Sequence, residues 1–399
     1  MMNVALVEQE MQNYRWEYKP LSEVAEIHDT RRKPINAKER AKRIEGKDET
    51  SLFPYYGATG QVGYIDDYLT DGEYVLLGED GAPFLDAFAS KAYIITGKAW
   101  VNNHAHILRS KGDNRFLCYY LNHFDFHDYV SGTTRLKLTQ EQMKRIPVPV
   151  LPIEKQQRIV ARIEELFSQL DDAEATLQKA KAQLALYRQA VLKEAFQGKE
   201  QWDKYTFNDL LSGMRNGYGE KPTDSGEYKI LRISAVRPML LNLSDYRMNQ
   251  SAFTGENLIQ ENDLLFTRYN GSQEYVGVCA RVPSLDGDYA YPDKIIRCRL
   301  KQPGTVLAKY LMYYLNSGDA RKYIRSKIKT TSGQKGIAGG DIQKTIVYIP
   351  DSIIQEDTVK YIESNISSCD SIDRTIDNSI IYARALRESI LKQAFEVTI

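Results

Sequence analysis

From residue 151 to 198 apolar side chains recur at intervals alternating between four and three: Ile159, Ile163, Leu166, Leu170, Ala173, Leu177, Ala180, Leu184, Tyr187 and Val191. This is a heptad seam, and it predicts one long helix able to pack along a second helix. Pro152 before the charged first turn and Gly198 after the last apolar position mark its ends. About 44 residues at ~1.5 Å each would make a rod of roughly 66 Å. A second seam, Ile362, Cys369, Ile372, Ile376, Ala383, Leu386 and Ile390, runs along the end of the chain, with Asn365 and Ser379 at seam positions. Polar seam residues cost stability and fix register. Each helix has one apolar stripe and the two are equally long, so antiparallel pairing within the chain is the expected closure. Pairing with a second chain is the alternative.

The segments before each helix alternate shorter signals. In the first, EYVLLG (73–78), KAYIIT (91–96) and AHILR (105–109) read as strands, FLCYYLNHFDFHDY as a helix and RIPVPV (145–150) as an edge strand, given its prolines. In the second, EYKILRIS, DLLFT, YVGVCARV and KIIRCRL read as strands and VLAKYLMYYLNSGDARKYIRSKI as one helix. The chain therefore divides into a globular domain at 1–150, a long helix at 151–198, a second globular domain at 199–348 and a second long helix at 349–399. The fold class is α+β: two tandem mixed domains separated by two long helices packed as an antiparallel coiled coil, with pseudo-two-fold symmetry.

The symmetry rests on an internal duplication. Shifting the chain by 199 residues aligns 151–196 with 350–395 without a gap, and twelve of 46 columns are identical, among them Gln156/Gln355, Ile163/Ile362, Arg188/Arg387 and both LKxAF endings. Upstream, FLCYYLN (116–122) parallels YLMYYLN (310–316) at an offset of 194, while 16–110 and 202–300 diverge almost completely. A retained frame with two unlike variable parts implies two different ligands on one scaffold.

Composition changes this picture little. Lys plus Arg equals Asp plus Glu at 53 each, so any nucleic-acid role must come from local clustering. The four cysteines, Cys118, Cys279, Cys298 and Cys369, are scattered without a CxxC pair, which argues against a disulfide framework or a cysteine zinc site. No stretch reaches the ~18 apolar residues of a membrane span, and the N-terminus lacks the basic-then-apolar signature of an export signal. A cytoplasmic protein without membrane contact is expected.

Basic residues concentrate in 28–47, 131–145 and 319–335. Any one such cluster is most simply a solvated face. Two of them, SGTTRLKLTQ and TTSGQKGIAGG with its basic approach, occupy equivalent slots after the YYLN motifs, and mix Arg and Lys with Ser, Thr and Gln, side chains suited to phosphates and base edges. His104 with His106, and His123 with His127, have ligand-like spacings, but Ser317 and Arg321 replace the latter pair in the second half; surface or half-buried histidines are the simpler reading. A GxxxxGK[ST] phosphate loop is missing, GEDGAPF (78–84) reads as a turn, and the Asn-Pro-Pro-aromatic motif of an amino-methylating enzyme is not found. A catalytic centre is not expected; a stand-alone nucleic-acid enzyme and a coiled-coil scaffold that ignores DNA are the alternatives.

The helix PIEKQQRIVARIEELFSQLDDAEATLQKAKAQLALYRQAVLKEAFQGK resembles the central conserved region of type I restriction-modification specificity subunits, and 350–396 resembles their distal one. WVNNHAHIL (100–108), SGTTRLKL (131–138) and RIPVPVLP (145–152) resemble the closing parts of that family's target-recognition domains. The resemblance implies a non-catalytic subunit whose two domains each read half of a split target in double-stranded DNA. It also implies binding to two modification subunits and, in the full complex, two restriction subunits, with S-adenosylmethionine, ATP and Mg used by those partners and no cofactor in this chain. Carried over by position, the implied DNA contacts are Arg31, Arg32, Lys33, Asn103, His104, Thr133, Thr134, Arg135 and Lys137 in the first half. In the second they are Arg215, Asn216, Lys221, Arg268, Tyr269, Asn270, Lys329, Thr331, Ser332, Gln334 and Lys335. Modification-subunit contacts are expected on outward helix faces, including Glu164, Arg188, Glu363 and Arg387.

Overall fold

A computed structural model describes residues 16–219, 225–250, 255–331 and 334–396. The chain forms two units, one running up to Gln178 and resuming at Ile376, the other Lys179–Thr375. Each unit thus holds one β-rich domain and half of each long helix.

In the first unit, β1 (Glu17–Pro20) leads through α1 (Leu21–Val24) into β2 (Ala25–Ile27), followed by α2 (Ala37–Ile44), β3 (Phe53–Gly57), β4 (Gly60–Ile65), β5 (Tyr74–Gly78), β6 (Ala92–Ile95), β7 (Trp100–Val101) and β8 (Ala105–Ser110). Then come α3 (Asn114–His123), α4 (Gln140–Lys144), β9 (Pro147–Val150) and the long α5 (Ile153–Ala195). An antiparallel sheet of order β2-β8-β5-β6 stands beside a smaller one, β4-β3-β7, in which β3 and β7 are parallel. Among the described residues the proline-bearing β9 pairs with β1 alone, as a strand with missing N–H donors should. Asp113 caps α3 by accepting from the N–H groups of Arg115 and Phe116. The core runs from Leu77 and Leu108 through Phe116 and Leu121 to Val160 and Ile163 of α5.

The second unit repeats this plan. Its elements are β10 (Asp203–Thr206), β11 (Leu211–Asn216), β12 (Tyr228–Leu231), β13 (Val236–Arg237), β14 (Leu240–Leu241), β15 (Tyr246–Asn249), β16 (Leu264–Thr267), β17 (Tyr269–Asn270), β18 (Cys279–Arg281), β19 (Tyr289–Ala290) and β20 (Ile295–Leu300). There follow α6 (Thr305–Leu315), α7 (Gly318–Ser326), β21 (Lys329–Thr331), β22 (Gln334–Gly336), α8 (Gly339–Gln343), β23 (Ile346–Ile349) and the long α9 (Ser352–Phe395). Sheet β11-β20-β16-β18 matches β2-β8-β5-β6, β15-β12-β19 matches β4-β3-β7, and β10-β23 matches β1-β9. The domains that differ most in sequence therefore share one topology.

The YYLN motif has a structural cause. Asn122 accepts from the N–H groups of Lys91 and Ala92 and donates to the Ala92 carbonyl at 2.8 Å. Asn316 accepts from the Cys279 N–H at 3.0 Å and donates to its carbonyl at 2.7 Å. Each asparagine pins the end of its helix to a strand of its sheet by pairing with that strand's backbone N–H and carbonyl groups. The single helix expected across the second motif is instead two, because the chain breaks at Asn316–Ser317 and turns through Gly318 at φ +51°. The first helix ends at His123 rather than continuing to Tyr129, so His123 and His127 do not share a helix face.

The long helices pack on each other in antiparallel sense. Their sheltered positions run Ile163, Phe167, Leu170, Glu174, Leu177, Lys181, Leu184, Arg188 and Val191 on α5, and Ile362, Ile366, Cys369, Asp373, Ile376, Ile380, Ala383, Arg387 and Ile390 on α9. Three of the apolar seam positions expected from the sequence are displaced: Tyr187 and Ile372 are each 50% exposed and Ala173 faces solvent. Charged residues take those seam positions because each has a partner across the pair. Arg188 contacts Asp370 at 2.7 Å and Asp373 at 3.3 Å. In the other unit Arg387 contacts Asp171 and lies over the Phe167 ring. The 199-residue shift carries Arg188 onto Arg387 and Asp171 onto Asp370, so one clamp appears twice.

The other two charges expected to face outward also have intrachain partners. Glu164 meets Arg115 at 3.2 Å and Glu363 meets Lys309 at 2.7 Å, tying each long helix to the YYLN helix of its own domain. At the opposite helix ends, Phe395 lies edge-on to Phe116 and Tyr120, and Phe196 does the same to Tyr310 and Tyr314. Partly exposed ion pairs contribute about 0–1 kcal/mol each, whereas removing a buried phenylalanine costs about 3–5 kcal/mol. The aromatic anchors therefore supply stability and the ion pairs set register. Denaturant titration should show Phe395→Ala losing about 3–5 kcal/mol and Arg387→Ala under about 1 kcal/mol; equal losses would contradict this division.

Candidate nucleic-acid interface

In the first unit, three chain segments meet at one end of the four-stranded sheet. His28 and Asp29 follow β2, Glu79 and Asp80 follow β5, and Asn103 and His104 precede β8. The loop after α3 folds onto the same end. Ser131 and Lys137 exchange backbone bonds at 3.0 and 2.8 Å, Leu138 N–H donates to the Glu79 carbonyl at 2.7 Å, and Gly81 N–H to that of Leu136 at 3.0 Å. Gly132 permits the loop: its φ is +101°, and a Cβ there would lie 2.5 Å from the Arg135 carbonyl oxygen.

Beneath this loop lies a buried polar network. Asp29 accepts from Ile107 N–H at 2.9 Å and Gln140 Nε2 at 2.8 Å, and meets His106 Nδ1 at 2.6 Å and Arg32 at 3.1 Å. Arg32 also grips Glu79 and donates to the Ala105 carbonyl at 3.2 Å. Burial alone would raise the Asp29 carboxyl; the His106, Ile107 and Gln140 hydrogen bonds outweigh it and hold the group below its ordinary value. With its side chain only 15% exposed, Arg32 braces the loop rather than reaching outward.

The outer layer is more open. Arg135 (62% exposed) pairs with Asp80 at 3.2 Å, Lys137 (52%) with Glu79 at 3.4 Å, and His104 Nδ1 with Asp80 at 2.5 Å. Asn103, Thr133 and Thr134 are exposed beside them. Arg31 donates to the Tyr74 hydroxyl at 2.9 Å, and the exposed Lys33 holds its ammonium 6.0 Å from the Trp100 ring centre. Arg32, His104, Arg135 and Lys137 thus share one network. Sequence reasoning missed its centre, because Glu79 and Asp80 sit in a GEDG stretch that reads as a turn; the available signal was two carboxylates flanked in space by expected cations.

The second unit uses the same end of its sheet. Arg215 and Asn216 close β11, Arg215 pairing with Glu256 at 2.5 Å. Arg268 follows β16, with its guanidinium 4.8 Å from the Tyr269 ring centre and a bond to the Asp293 carbonyl at 3.4 Å. The sheet β17-β22-β21 then gathers Tyr269, Asn270, Lys335, Gln334, Lys329 and Thr331, with Asn270 opposite Lys335 and Thr331 opposite Gln334. Lys221 and Ser332 lie outside the described residues. Among the described residues no group of three or more His, Cys, Asp or Glu side chains could hold a metal, and no helix is long and apolar enough to cross a membrane. All four cysteines are free and buried, and burial pushes the Cys118 thiol up to about 12.

Two copies of one β-rich domain, each joined to a long helix and carrying polar loops at one sheet end, define a tandem-repeat α+β protein. A family model described as "Type I restriction modification DNA specificity domain" matches residues 13–182. The "Type I restriction enzyme EcoKI specificity subunit" of Escherichia coli (strain K12) is 36% identical over 266 residues, 63% of this chain and 57% of that protein. A solved structure described as "Structural basis underlying complex assembly and conformational transition of the type I R-M system" superposes with a TM-score of 0.68 at 15% identity, over 96% of this chain and 99% of that one. The "HsdS subunit from Thermoanaerobacter tengcongensis" does so at 0.50 and 14%, over 95% and 96%. These two likenesses carry the fold. Residues 13–182 match the type I restriction modification DNA specificity domain and the chain is similar to type I specificity subunits; it spans little more than half the length of the curated EcoKI relative it matches.

The Asp29 network sets a pH expectation. A depressed carboxyl stabilises the fold fully above its ordinary value near 4, and the contribution disappears as pH falls from there through the depressed value. Asp29→Asn should lower the urea midpoint at pH 7, and the gap between variant and wild type should narrow progressively as the pH falls below about 4. A gap independent of pH would show that the carboxylate charge is not what the network needs.

Proposed function

We propose that this chain is the sequence-reading subunit of a type I restriction-modification complex in the cytoplasm. The domains within 1–150 and 199–348 each bind one half of a split asymmetric site in double-stranded DNA, and the helices within 151–198 and 349–399 set the unread spacer. The observation that supports this most is the recurrence of polar, cation-bearing loops at the same sheet end of two domains whose sequences have otherwise diverged. A shared position with unshared residues suits a common phosphate-contacting task with different base contacts.

The chemistry belongs to partners in this reading. Two modification subunits, using S-adenosylmethionine, dock on the helix pair, and two restriction subunits, using ATP and Mg, complete the nuclease. Because Glu164, Arg188, Glu363 and Arg387 are engaged within the chain, docking is assigned to the exposed apolar positions of the same helices, such as Leu186, Ile372 and Tyr382.

Two experiments on the assembled methyltransferase test the proposal. Arg135→Ala with Lys137→Ala should weaken binding to every sequence and reduce the slope of log affinity against log salt by roughly 2, since each lost phosphate contact retains a counterion. Unchanged affinity and slope would remove this loop from the interface. Exchanging 200–348 for the corresponding segment of another specificity subunit should change one half of the methylated motif; altered recognition in both halves would contradict modular reading.

A further inference from the structure

The two sheets end alike in backbone and oppositely in charge. Glu79 N–H donates to the His104 carbonyl at 2.8 Å and its own carbonyl accepts from Leu138 N–H at 2.7 Å. Arg268 N–H donates to the Lys294 carbonyl at 2.8 Å and its carbonyl accepts from Ile337 N–H at 3.0 Å. The next residues repeat the match, Asp80 bridging to Lys137 and Tyr269 to Gly336. The first domain therefore places an acceptor-only carboxylate pair where the second places a donor-only guanidinium and a tyrosine.

Only one carboxylate of the pair is open to a ligand. Glu79 is 16% exposed and is held by Arg32 and Lys137. Asp80 is 24% exposed; its Oδ1 takes both His104 and Arg135, and its Oδ2 has no hydrogen-bond partner among the described residues. Both side chains orient the group, and the Arg135 charge offsets its repulsion from duplex phosphates. In the second domain the Tyr269 ring orients the Arg268 plane.

Resting on the reading of this chain as a DNA-sequence reader, we propose that Asp80 and Arg268 are specificity-determining residues of opposite polarity. Asp80 accepts a hydrogen bond from the exocyclic amine of cytosine in one half-site, and Arg268 donates to guanine in the other. In the major groove the amino-bearing edges are cytosine N4 and adenine N6, and carboxylates suit cytosine; guanine N7 and O6 accept the paired donors of arginine. A plain bracing role for Asp80 makes a different forecast, since loosening the loop would weaken binding to all sequences alike.

Selection from randomised duplexes by the assembled methyltransferase separates these outcomes. Wild type must select a bipartite motif; selection of no motif would overturn the proposed function itself. Given a motif, Asp80→Asn should flatten a cytosine preference at one position of one half-site by roughly ten- to hundred-fold, leaving the other half unchanged. Arg268→Gln should do the same to one guanine of the other half, and Asp80→Ser replaces Asp80→Asn should that complex fail to assemble. Uniform loss of affinity, or an unchanged motif, in complexes melting at the wild-type temperature would overturn the inference while leaving the function intact.

Discussion

A pair of arginines, one near the C-terminal end of each long helix, constrains how the two helices pair. Arg188 and Arg387 stand at seam positions that a purely hydrophobic pattern would give to leucine, and each faces aspartates of the opposing helix. An apolar seam alone tolerates sliding by a heptad, because one leucine fits another's hole nearly as well. A charge left without its partner in a half-buried seam does not, so the pairs select one register at little net stability. The aromatic anchors at Phe196 and Phe395 then join each helix end to the YYLN helix of a β-rich domain.

The same economy appears where the domains meet solvent. Buried polar groups such as Asp29, His106 and Arg32 satisfy one another beneath the loops, so the outer residues are held by a rigid base. Rigid placement suits the proposed sequence reading, since bases are told apart by fixed patterns of donors and acceptors on their groove edges. At this matched sheet end the domains differ in the side chains they present, carboxylates in the first and a guanidinium in the second.

Much of this was legible in the sequence. The duplication was visible because the helix frame must keep its partners, and Gln156, Ile163 and Arg188 survive in both copies for that reason. Most apolar seam positions were legible, but a rule that seeks apolar residues passes over Glu174, Lys181 and Arg188 and selects Tyr187, whose exposed ring instead donates its hydroxyl to Asn365. The loops were found through their basic residues, but Asp29, Glu79 and Asp80 were not, because their role depends on Arg32, His104 and Arg135 arriving from other parts of the chain. Helix ends at His123 and Leu315 escaped notice for a similar reason, being set by the pairing of Asn122 and Asn316 with distant strands.

The claim that the helix pair is a measuring element is tested most directly by lengthening it. Seven residues that continue the heptad, inserted after Gln178 and again after Thr375, keep both seams in phase and add about 10.5 Å to each helix. Methylation mapping of DNA from cells carrying the altered complex should return both half-sites unchanged with a spacer longer by about 3 base pairs at ~3.4 Å each. An unaltered spacer, or half-sites that change while the spacing stays fixed, would contradict the account.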